Sequence, residues 1–245
     1  MAEIIDRLTH ELKQYADPDH AAVVGDRFRV NVANYWGVRT PRIRQIASQR
    51  YQSIKTLSFA EILPLCEQLL QTGTYELELT AFHWAYLSRQ KFQPEHLDTF
   101  DRWLATYVTD WIDCDDLCLH VIGILFLDHP LETGRVFQWL DSPNLWLRRG
   151  AAVSLIPPAR HRDELNRIFT VVDRLLADPE DLVHKGYGWL LKEASKKYPQ
   201  AVFNYVNQKN LLMKSLAFRY AIAKLPPPLQ KKALKARKKL DPPEA

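Results

Sequence analysis

The feature that most constrains the fold of this 245-residue chain is a recurrence of helical segments in pairs, at intervals of about 40 residues. Apolar residues recur at spacings of three and four, whereas strand-like alternation and hairpin dipeptides such as Asn-Gly are lacking. Proline, glycine and capping residues separate the segments. The predicted helices cover about residues 2–16, 19–29, 40–50, 58–71, 76–88, 94–107, 111–127, 131–140, 144–156, 162–177, 180–197, 199–208 and 211–224.

The spacing of the pairs predicts a repeat architecture. Trp111 lies 38 residues before Arg149, which lies 40 residues before Trp189. Helix pairs with a period near 40 are typical of HEAT-like repeats, which stack into a curved solenoid. We therefore predict an all-α fold in which residues 1–225 form a single solenoid domain. Residues 226–245 would be a proline-rich hinge followed by a basic C-terminal tail, and the residues after the prolines could form either a last helix or a loose segment.

Charge is sorted between the two helices of each predicted pair. The first helices carry acids and the second helices carry bases, although the net charge of the chain is only +4. Equivalent helices of a solenoid line the same side, so the second helices would form one basic concave wall. Such a wall is typical of a groove that binds a nucleic-acid backbone. Its bases are Arg148, Arg149, Lys185, Lys192, Lys196, Lys197, Lys214 and Arg219.

One acid early in the predicted helix 111–127 has no simple structural explanation. Asp110 suits the N-cap, while Asp113 and Asp116 suit the helix dipole and lie on a predicted polar face. Asp115 falls outside that face and in line with Trp111, four residues earlier. A carboxylate beside an indole loses hydration, which suggests a function.

Two further motifs are predicted on the same wall, one helix pair apart. The first is Asn144-Leu-Trp-Leu-Arg-Arg149-Gly, and the second is His184-Lys-Gly-Tyr-Gly-Trp189-Leu-Leu-Lys-Glu193. The glycines at 186 and 188 each cost a helix about 1 kcal/mol relative to alanine, so a close neighbour, protein or DNA, is expected. Two tryptophans, one carboxylate and one arginine would then face one groove.

Taken in order, these motifs resemble the AlkD-type DNA alkylation repair glycosylases. The shared pattern is Trp-x-x-x-Asp, then Trp-Leu-x-Arg, then Gly-Trp-x-Leu-x-Glu. The resemblance includes the stretches 37–44 and 216–225 and covers nearly all of the chain before the prolines. It implies a helical-repeat fold and excision of N3- and N7-alkylated purines, such as 3-methyladenine and 7-methylguanine, from double-stranded DNA.

The resemblance also implies roles for individual residues. Trp111, Asp115, Arg149 and Trp189 match the family's active site, whereas Phe28 stands at a position that is often tyrosine. Together with the basic wall, this gives the following predicted DNA contacts: Arg42, Arg44, Arg148, Arg149, Lys185, Lys192, Lys214 and Arg219.

The chemistry of such lesions agrees with one carboxylate and two indoles. A purine alkylated at N3 or N7 is already a cation and leaves as a neutral base, so no general acid is required, in contrast to ordinary glycoside hydrolysis. Asp115 would stabilise the oxocarbenium-like sugar and place a water molecule. Trp111 and Trp189 would contact the cationic sugar and lesion through their π faces, and Arg149 would hold a phosphate.

Neither a metal nor a cofactor is predicted. Cys114 and Cys118 are four residues apart, but His120 points elsewhere on the helix and a fourth ligand is missing. We expect buried free thiols, since an odd cysteine count of three argues against a disulfide framework. The sequence shows neither a signal peptide nor a membrane span, which favours a cytoplasmic protein, nucleoid-associated in a bacterium, and we expect a monomer.

Two other functions remain open at this point. The chain could be a non-catalytic DNA-binding member of the same fold that recognises damaged or branched DNA. It could also be a HEAT-type protein-interaction scaffold. Asp115 together with both tryptophans favours the enzyme over the first alternative. The sorted basic charge disfavours the second.

Overall fold

The computed structural model describes residues 2–28 and 33–240, and the chain divides into two compact units, Met1–Val121 and Ile122–Ala245. Every regular element of the described residues is helical, which confirms the predicted all-α class. The single domain over residues 1–225 stays a prediction. The side chain of Phe28 lies outside the described residues. Within the described ranges, no helix combines the length and apolarity that a membrane span requires.

Unit 1 is built from consecutive helices joined by short turns. They are α1 Ala2–Lys13, α2 Pro18–Phe28, α3 Thr40–Tyr51, α4 Phe59–Leu70, α5 Tyr75–Leu87, α6 His96–Thr106 and α7 Trp111–Leu117, with a 3₁₀ turn at Arg89–Lys91. Their starts follow local chemistry. The carboxylate of Glu61 accepts the backbone N–H of Ser58 at 2.8 Å before α4, and Pro41 lies in the first turn of α3.

The packing of unit 1 places α7 at the end of a row of helices. Helix α3 packs on α5, and α5 packs on both α4 and α7. The core between them is apolar and includes the fully buried rings of Phe82, Trp84, Phe100 and Trp103. A π-helical turn, Cys118–Ile122, follows α7, which places a wide turn directly after the predicted catalytic segment.

Unit 2 continues with shorter and longer helices in alternation. They are α8 Gly123–Asp128, α9 Val136–Trp139, α10 Leu145–Val153, α11 Ile156–His161, α12 Leu165–Leu175, α13 Asp181–Lys197, α14 Pro199–Gln208, α15 Ser215–Ile222 and α16 Pro227–Leu240, with a 3₁₀ turn at Pro130–Arg135. Helix α13 is central, because α10, α11, α12, α14 and α15 all pack on it. Three predicted pairs are confirmed in unit 2. Helix α9 packs on α10, as predicted for 131–140 and 144–156, and α12 packs on α13, as predicted for 162–177 and 180–197. Helix α14 packs on α15, as predicted for 199–208 and 211–224.

One prediction about unit 2 was wrong. The helix predicted over 144–156 ends at Val153, and α11 starts separately with Pro157 in its first turn, because a proline lacks the N–H that an unbroken helix requires.

Of the two forms predicted for the basic C-terminal segment, the structure has the helix. Pro227 to Leu240 form α16, which packs on α14.

Arg237 anchors α16 to the loop that precedes α15. Its guanidinium donates to the backbone carbonyls of Asn210 and Met213 and lies 5.2 Å from the ring centroid of Phe218. Ala233 is fully buried on the same helix. The C-terminal basic segment is therefore a structural part of unit 2, and its lysines are carried on a helix.

Candidate active site

The site in unit 1 is built around a tight turn before α3. Gly37 has a φ of +86°, and a Cβ at this position would lie 1.8 Å from the carbonyl oxygen of Asp17, so only glycine fits. The fully buried carboxylate of Glu76 accepts the backbone N–H groups of Trp36, at 3.1 Å, and Val38, at 3.0 Å. This clamp fixes the start of α3.

The fixed turn forms one wall of a cleft of 670 Å³ in unit 1. A cleft of this size is in the usual range for ligand sites. The rings of Tyr35 and Tyr75 meet edge to face at 4.7 Å between centroids. The lining residues are His20, Val24, Tyr35, Arg39, Thr40, Pro41, Arg42, Gln45, Tyr75, Trp111 and Ile112.

Helix α7 begins at this cleft with the N-cap that the sequence predicted. One carboxylate oxygen of Asp110 accepts the backbone N–H groups of Ile112, at 2.6 Å, and Asp113, at 3.2 Å. Trp111 lines the cleft, and both Trp111 and Asp115 are half-buried. As i,i+4 neighbours they present together on the accessible side of the helix, as predicted.

The sequence predicted a polar face on α7, and the structure differs from this prediction. Asp113 and Asp116, expected on that face, are buried with 2% and 8% of their surfaces exposed. Helix α5 packs on α7, and Arg44 of α3 donates to Asp116. Among Asp113, Asp115 and Asp116, only Asp115 remains on a half-exposed position.

Buried acids behind α7 favour their neutral forms. Burial, together with the smaller effect of the charge of Asp110, raises the pKa of Glu78 to about 7. Burial also raises the pKa of Asp113 well above its ordinary value, and the neighbouring carboxylates add to this effect. One carboxylate oxygen of Asp113 has no hydrogen-bond partner among the described residues. These acids are enclosed, so they do not face the cleft as proton donors.

Asp116 is held by a basic residue from α3. Arg44 donates to it at 2.6 Å, and Nδ1 of His120 lies 3.7 Å from the same carboxylate oxygen. Burial lowers the pKa of His120, which favours the neutral imidazole. Arg44, predicted as a DNA contact, therefore has an internal partner that is distant in sequence.

No group of metal-ligating side chains comes together in the described parts of the chain. Cys66, Cys114 and Cys118 are buried free thiols, as the sequence predicted for the latter two.

In unit 2, Trp189 lies half-buried on α13 and close to a lysine and a tyrosine. The ammonium of Lys192 is 5.5 Å from the ring centroid of Trp189 and 5.7 Å from that of Tyr220 on α15. Gly188 makes this arrangement possible, because a Cβ there would lie 2.9 Å from the carbonyl oxygen of Ala217. The close neighbour that the sequence predicted for Gly188 is thus another helix of the protein.

The adjacent arginines of α10 have different surroundings. Arg148 donates to the buried carboxylate of Asp178 at 2.6 Å and to the carbonyl of Ser142 at 2.8 Å. Arg148, predicted as a DNA contact, therefore has internal partners that hold its guanidinium, and its contact with DNA stays a prediction.

Arg149 ties α10 to α13. It has only 4% of its surface exposed and donates to the backbone carbonyl of Leu182. Its Cγ would lie 3.4 Å from a Cβ added at Gly186, so the glycine permits this contact. The phosphate contact proposed for Arg149 stays a prediction.

The remaining predicted DNA contacts lie at more accessible positions. Arg42, Lys214 and Arg219 are exposed, and Lys185 is half-buried. The guanidinium of Arg42 lies over Tyr15, 4.5 Å from the ring centroid, on the rim of the cleft. That Trp111, Asp115, Arg149 and Trp189 share one groove stays a prediction.

Sequence reasoning missed several aromatic residues of both units. Tyr35 and Tyr75 wall the cleft, and Tyr220 completes the cluster around Lys192. Tyr220 lies within the stretch 216–225 that resembled the glycosylases, which was the one signal that pointed to it.

Comparisons with known proteins identify the family and the fold of the chain. A family model described as DNA alkylation repair enzyme matches residues 8–225. One similar solved structure is a predicted DNA alkylation repair enzyme from Enterococcus faecalis, with a TM-score of 0.76 and 20% sequence identity. The match covers 86% of this chain and 97% of the other. No individually curated protein sequence gives a significant match. Because the family model spans most of the chain, the protein belongs to the DNA alkylation repair enzyme family.

Proposed function

We propose that this protein is a DNA glycosylase that excises N3- and N7-alkylated purines, such as 3-methyladenine and 7-methylguanine, by hydrolysis of the N-glycosidic bond. Its family acts in DNA repair, so DNA is the partner of this protein. The observation that carries the finer proposal is that Asp115 is half-buried on α7, one helical turn after Trp111, which lines the cleft.

Asp115 is suited to the chemistry because its neighbours already have other roles. Asp110 caps the helix, Asp113 is enclosed, and Asp116 is paired with Arg44. The carboxylate of Asp115 would stabilise positive charge on the sugar as the neutral base departs. It would also orient the water that attacks the anomeric carbon.

The indoles of the proposed site would bind the cationic substrate. Trp111 offers its ring at the cleft in unit 1, and Trp189 is half-buried on α13 in unit 2. A cation over an indole face is stabilised by about 0.5–2 kcal/mol, depending on desolvation. An alkylated purine nucleotide carries such a charge, whereas an undamaged one does not, so the contact favours the lesion.

A general acid is not required for this class of substrate, because a cationic purine needs no proton to leave. In unit 1, His120 lies with Asp116 and Tyr86, and burial favours its neutral form. Glu78 and Asp113 hold protons more readily than ordinary acids, but they are buried.

The proposal is tested by incubating the purified protein with methylated duplex DNA and separating the released bases by chromatography. Release of 7-methylguanine and 3-methyladenine is the expected result. Binding to the DNA without any released base would support the non-catalytic alternative, and failure to bind DNA would support a protein-interaction scaffold. Either outcome would overturn the glycosylase assignment.

A further inference from the structure

An ion pair joins two helices that both line the cleft of unit 1. Arg44 of α3 donates to a carboxylate oxygen of Asp116 on α7 at 2.6 Å. Asp116 has only 8% of its surface exposed, so its carboxylate is largely shielded from water. Thr40 at the start of α3 and Trp111 at the start of α7 line the same cleft. The pair therefore connects one wall of the cleft directly to the helix that carries Asp115.

The pair lies in a small polar cavity of 120 Å³ beside two histidines. Nδ1 of His120 lies 3.7 Å from the same carboxylate oxygen, and His83 also lines the cavity. Burial lowers the pKa of His83 to about 4 and also lowers the pKa of His120, so both imidazoles favour their neutral forms at pH 7. Arg44 thus supplies positive charge beside Asp116. Burial raises the pKa of Asp116, and the charge and hydrogen bond of Arg44 oppose this rise.

The position of Asp116 makes this pair relevant to its neighbour Asp115. Helix α7 has only seven residues, and a π-helical turn follows it. Asp110 caps the start of the helix, while the pair with Arg44 holds it near its end. Because Asp115 and Asp116 are adjacent in the chain, a rotation of α7 that breaks the pair would also move the carboxylate of Asp115. A displacement of about 1 Å can cost a reaction as much as about 100-fold in rate.

We propose that Arg44 is a positioning residue for base excision, because its ion pair with Asp116 fixes α7 and thereby the carboxylate of Asp115 relative to the cleft. The inference rests on the proposed function, since it takes Asp115 as the catalytic carboxylate. Arg44 acts through Asp116 and does not touch the substrate. This role differs from the DNA contact that the sequence predicted for Arg44, and the two roles have different consequences for rate and for binding.

The first test is the single-turnover rate of 7-methylguanine release at saturating methylated duplex DNA. Arg44→Met should lower this rate about 10- to 100-fold, and Asp116→Asn should lower it by a similar factor. The double variant should lose no more than either single variant, because both changes break the same pair. Arg44→Lys keeps a positive charge and should recover part of the rate. A wild-type rate in Arg44→Met, or losses that multiply in the double variant, would overturn the proposal.

The salt dependence of binding to undamaged duplex DNA separates positioning from a direct DNA contact. Arg44→Met should keep the wild-type slope of log K against log salt, measured by fluorescence anisotropy. Loss of a phosphate contact would instead reduce the magnitude of the slope by about 0.9. A slope reduced by that amount would overturn the positioning role in favour of direct contact.

A second arginine of α3 provides a matched control. Arg50 is half-buried like Arg44, and it donates to the carboxylate of Glu11 on α1 at 2.8 Å. Arg50→Met therefore breaks an ion pair of the same helix that does not reach α7. Its rate at saturating DNA should equal that of the wild type, at a temperature where thermal melts show every variant to be folded. An equal loss of rate in Arg50→Met would overturn the specific role of Arg44.

A binding measurement tests the same role without base release. The probe is duplex DNA with a pyrrolidine abasic analogue, whose ring carries a positive charge, compared with an uncharged tetrahydrofuran analogue. The wild type should prefer the charged probe, and Arg44→Met should lose about tenfold of this preference, because a displaced Asp115 no longer meets the charge. The same preference in both proteins would overturn the positioning role. A wild type that shows this preference but releases no 7-methylguanine would overturn the glycosylase assignment alone, and a wild type without the preference would overturn both.

Discussion

Replacing Glu78 by glutamine should stabilise the protein, increasingly so as the pH rises. Glu78 is 7% exposed in unit 1, and burial raises its pKa from 4.5 to about 7. Between pH 4.5 and 7, the carboxyl of Glu78 therefore keeps its proton in the folded state, whereas it has already lost this proton in the unfolded state. Between pH 4.5 and 7 the unfolded state gains stability relative to the folded state, so the carboxyl destabilises the protein as the pH rises.

The size of the effect follows from the shift of the pKa. A carboxyl with pKa values of 4.5 unfolded and about 7 folded lowers the free energy of unfolding by about 1 kcal/mol at pH 5 and about 3 kcal/mol at pH 8. Glutamine has no titratable proton and does not contribute this dependence. The stability difference between Glu78→Gln and the wild type should thus grow by roughly 2 to 3 kcal/mol from pH 5 to pH 8.

Urea denaturation at both pH values, monitored by circular dichroism, measures this difference. Glu95→Gln is the control, because Glu95 is exposed and its carboxyl is hydrated in both states. The free energy of unfolding of Glu95→Gln, relative to that of the wild type, should vary little with pH. If the difference between Glu78→Gln and the wild type is the same at pH 5 and pH 8, the argument that burial keeps Glu78 protonated is refuted.

Three further predictions follow from the contacts and the chemistry. Arg237→Ala should lower the free energy of unfolding by about 1.5–3 kcal/mol, because it removes charged hydrogen bonds to the loop before α15. Lys235 is exposed, so Lys235→Ala should change the free energy of unfolding little. Equal urea midpoints for the two variants would contradict the anchoring role of Arg237. Asp178→Ala should cost about 3–5 kcal/mol, because it leaves the guanidinium of Arg148 without its carboxylate; a wild-type melting temperature would show that this pair is dispensable. Duplex DNA that contains hypoxanthine, a neutral base, should release no base under conditions in which 7-methylguanine is released, and its efficient excision, followed by chromatography, would show that a general acid participates.

The fold was predictable because its signals are local. Asp110 caps α7 by accepting N–H groups two and three residues ahead, and such spacing is visible in one sequence. The helix pairs of unit 2 follow from apolar periodicity and short connections for the same reason. The one break that was missed, before α11, depends on how the chain accommodates adjacent prolines after Val153.

The partners of charged residues were less predictable, since they come from distant parts of the chain. Arg44 pairs with an acid 72 residues away, and Arg148 pairs with one 30 residues away. A single sequence shows that these residues are basic but not whether an internal acid neutralises them. The same limit applies to Asp113, whose burial depends on Glu78 and the packing of α5 on α7.

The C-terminal segment illustrates a related limit. Its run of bases left a last helix and a loose tail equally open, and the segment forms α16 because Arg237 finds carbonyl acceptors in unit 2. Composition described the charge of the segment correctly but could not reveal the acceptors. Deletion of residues 229–245 would therefore remove a packed helix as well as its lysines, so substitution of single exposed lysines is the better test of DNA binding.

The most direct test of the central claim is the single-turnover rate of 7-methylguanine release by Asp115→Asn. This substitution preserves shape and removes the negative charge, so the rate should fall about 100- to 1,000-fold while affinity for undamaged duplex DNA stays near the wild-type value. Asp113→Asn is the matched control, because Asp113 is enclosed and burial already favours its neutral form. We expect Asp113→Asn to retain excision. Wild-type release by Asp115→Asn would contradict the assignment of Asp115 as the catalytic carboxylate.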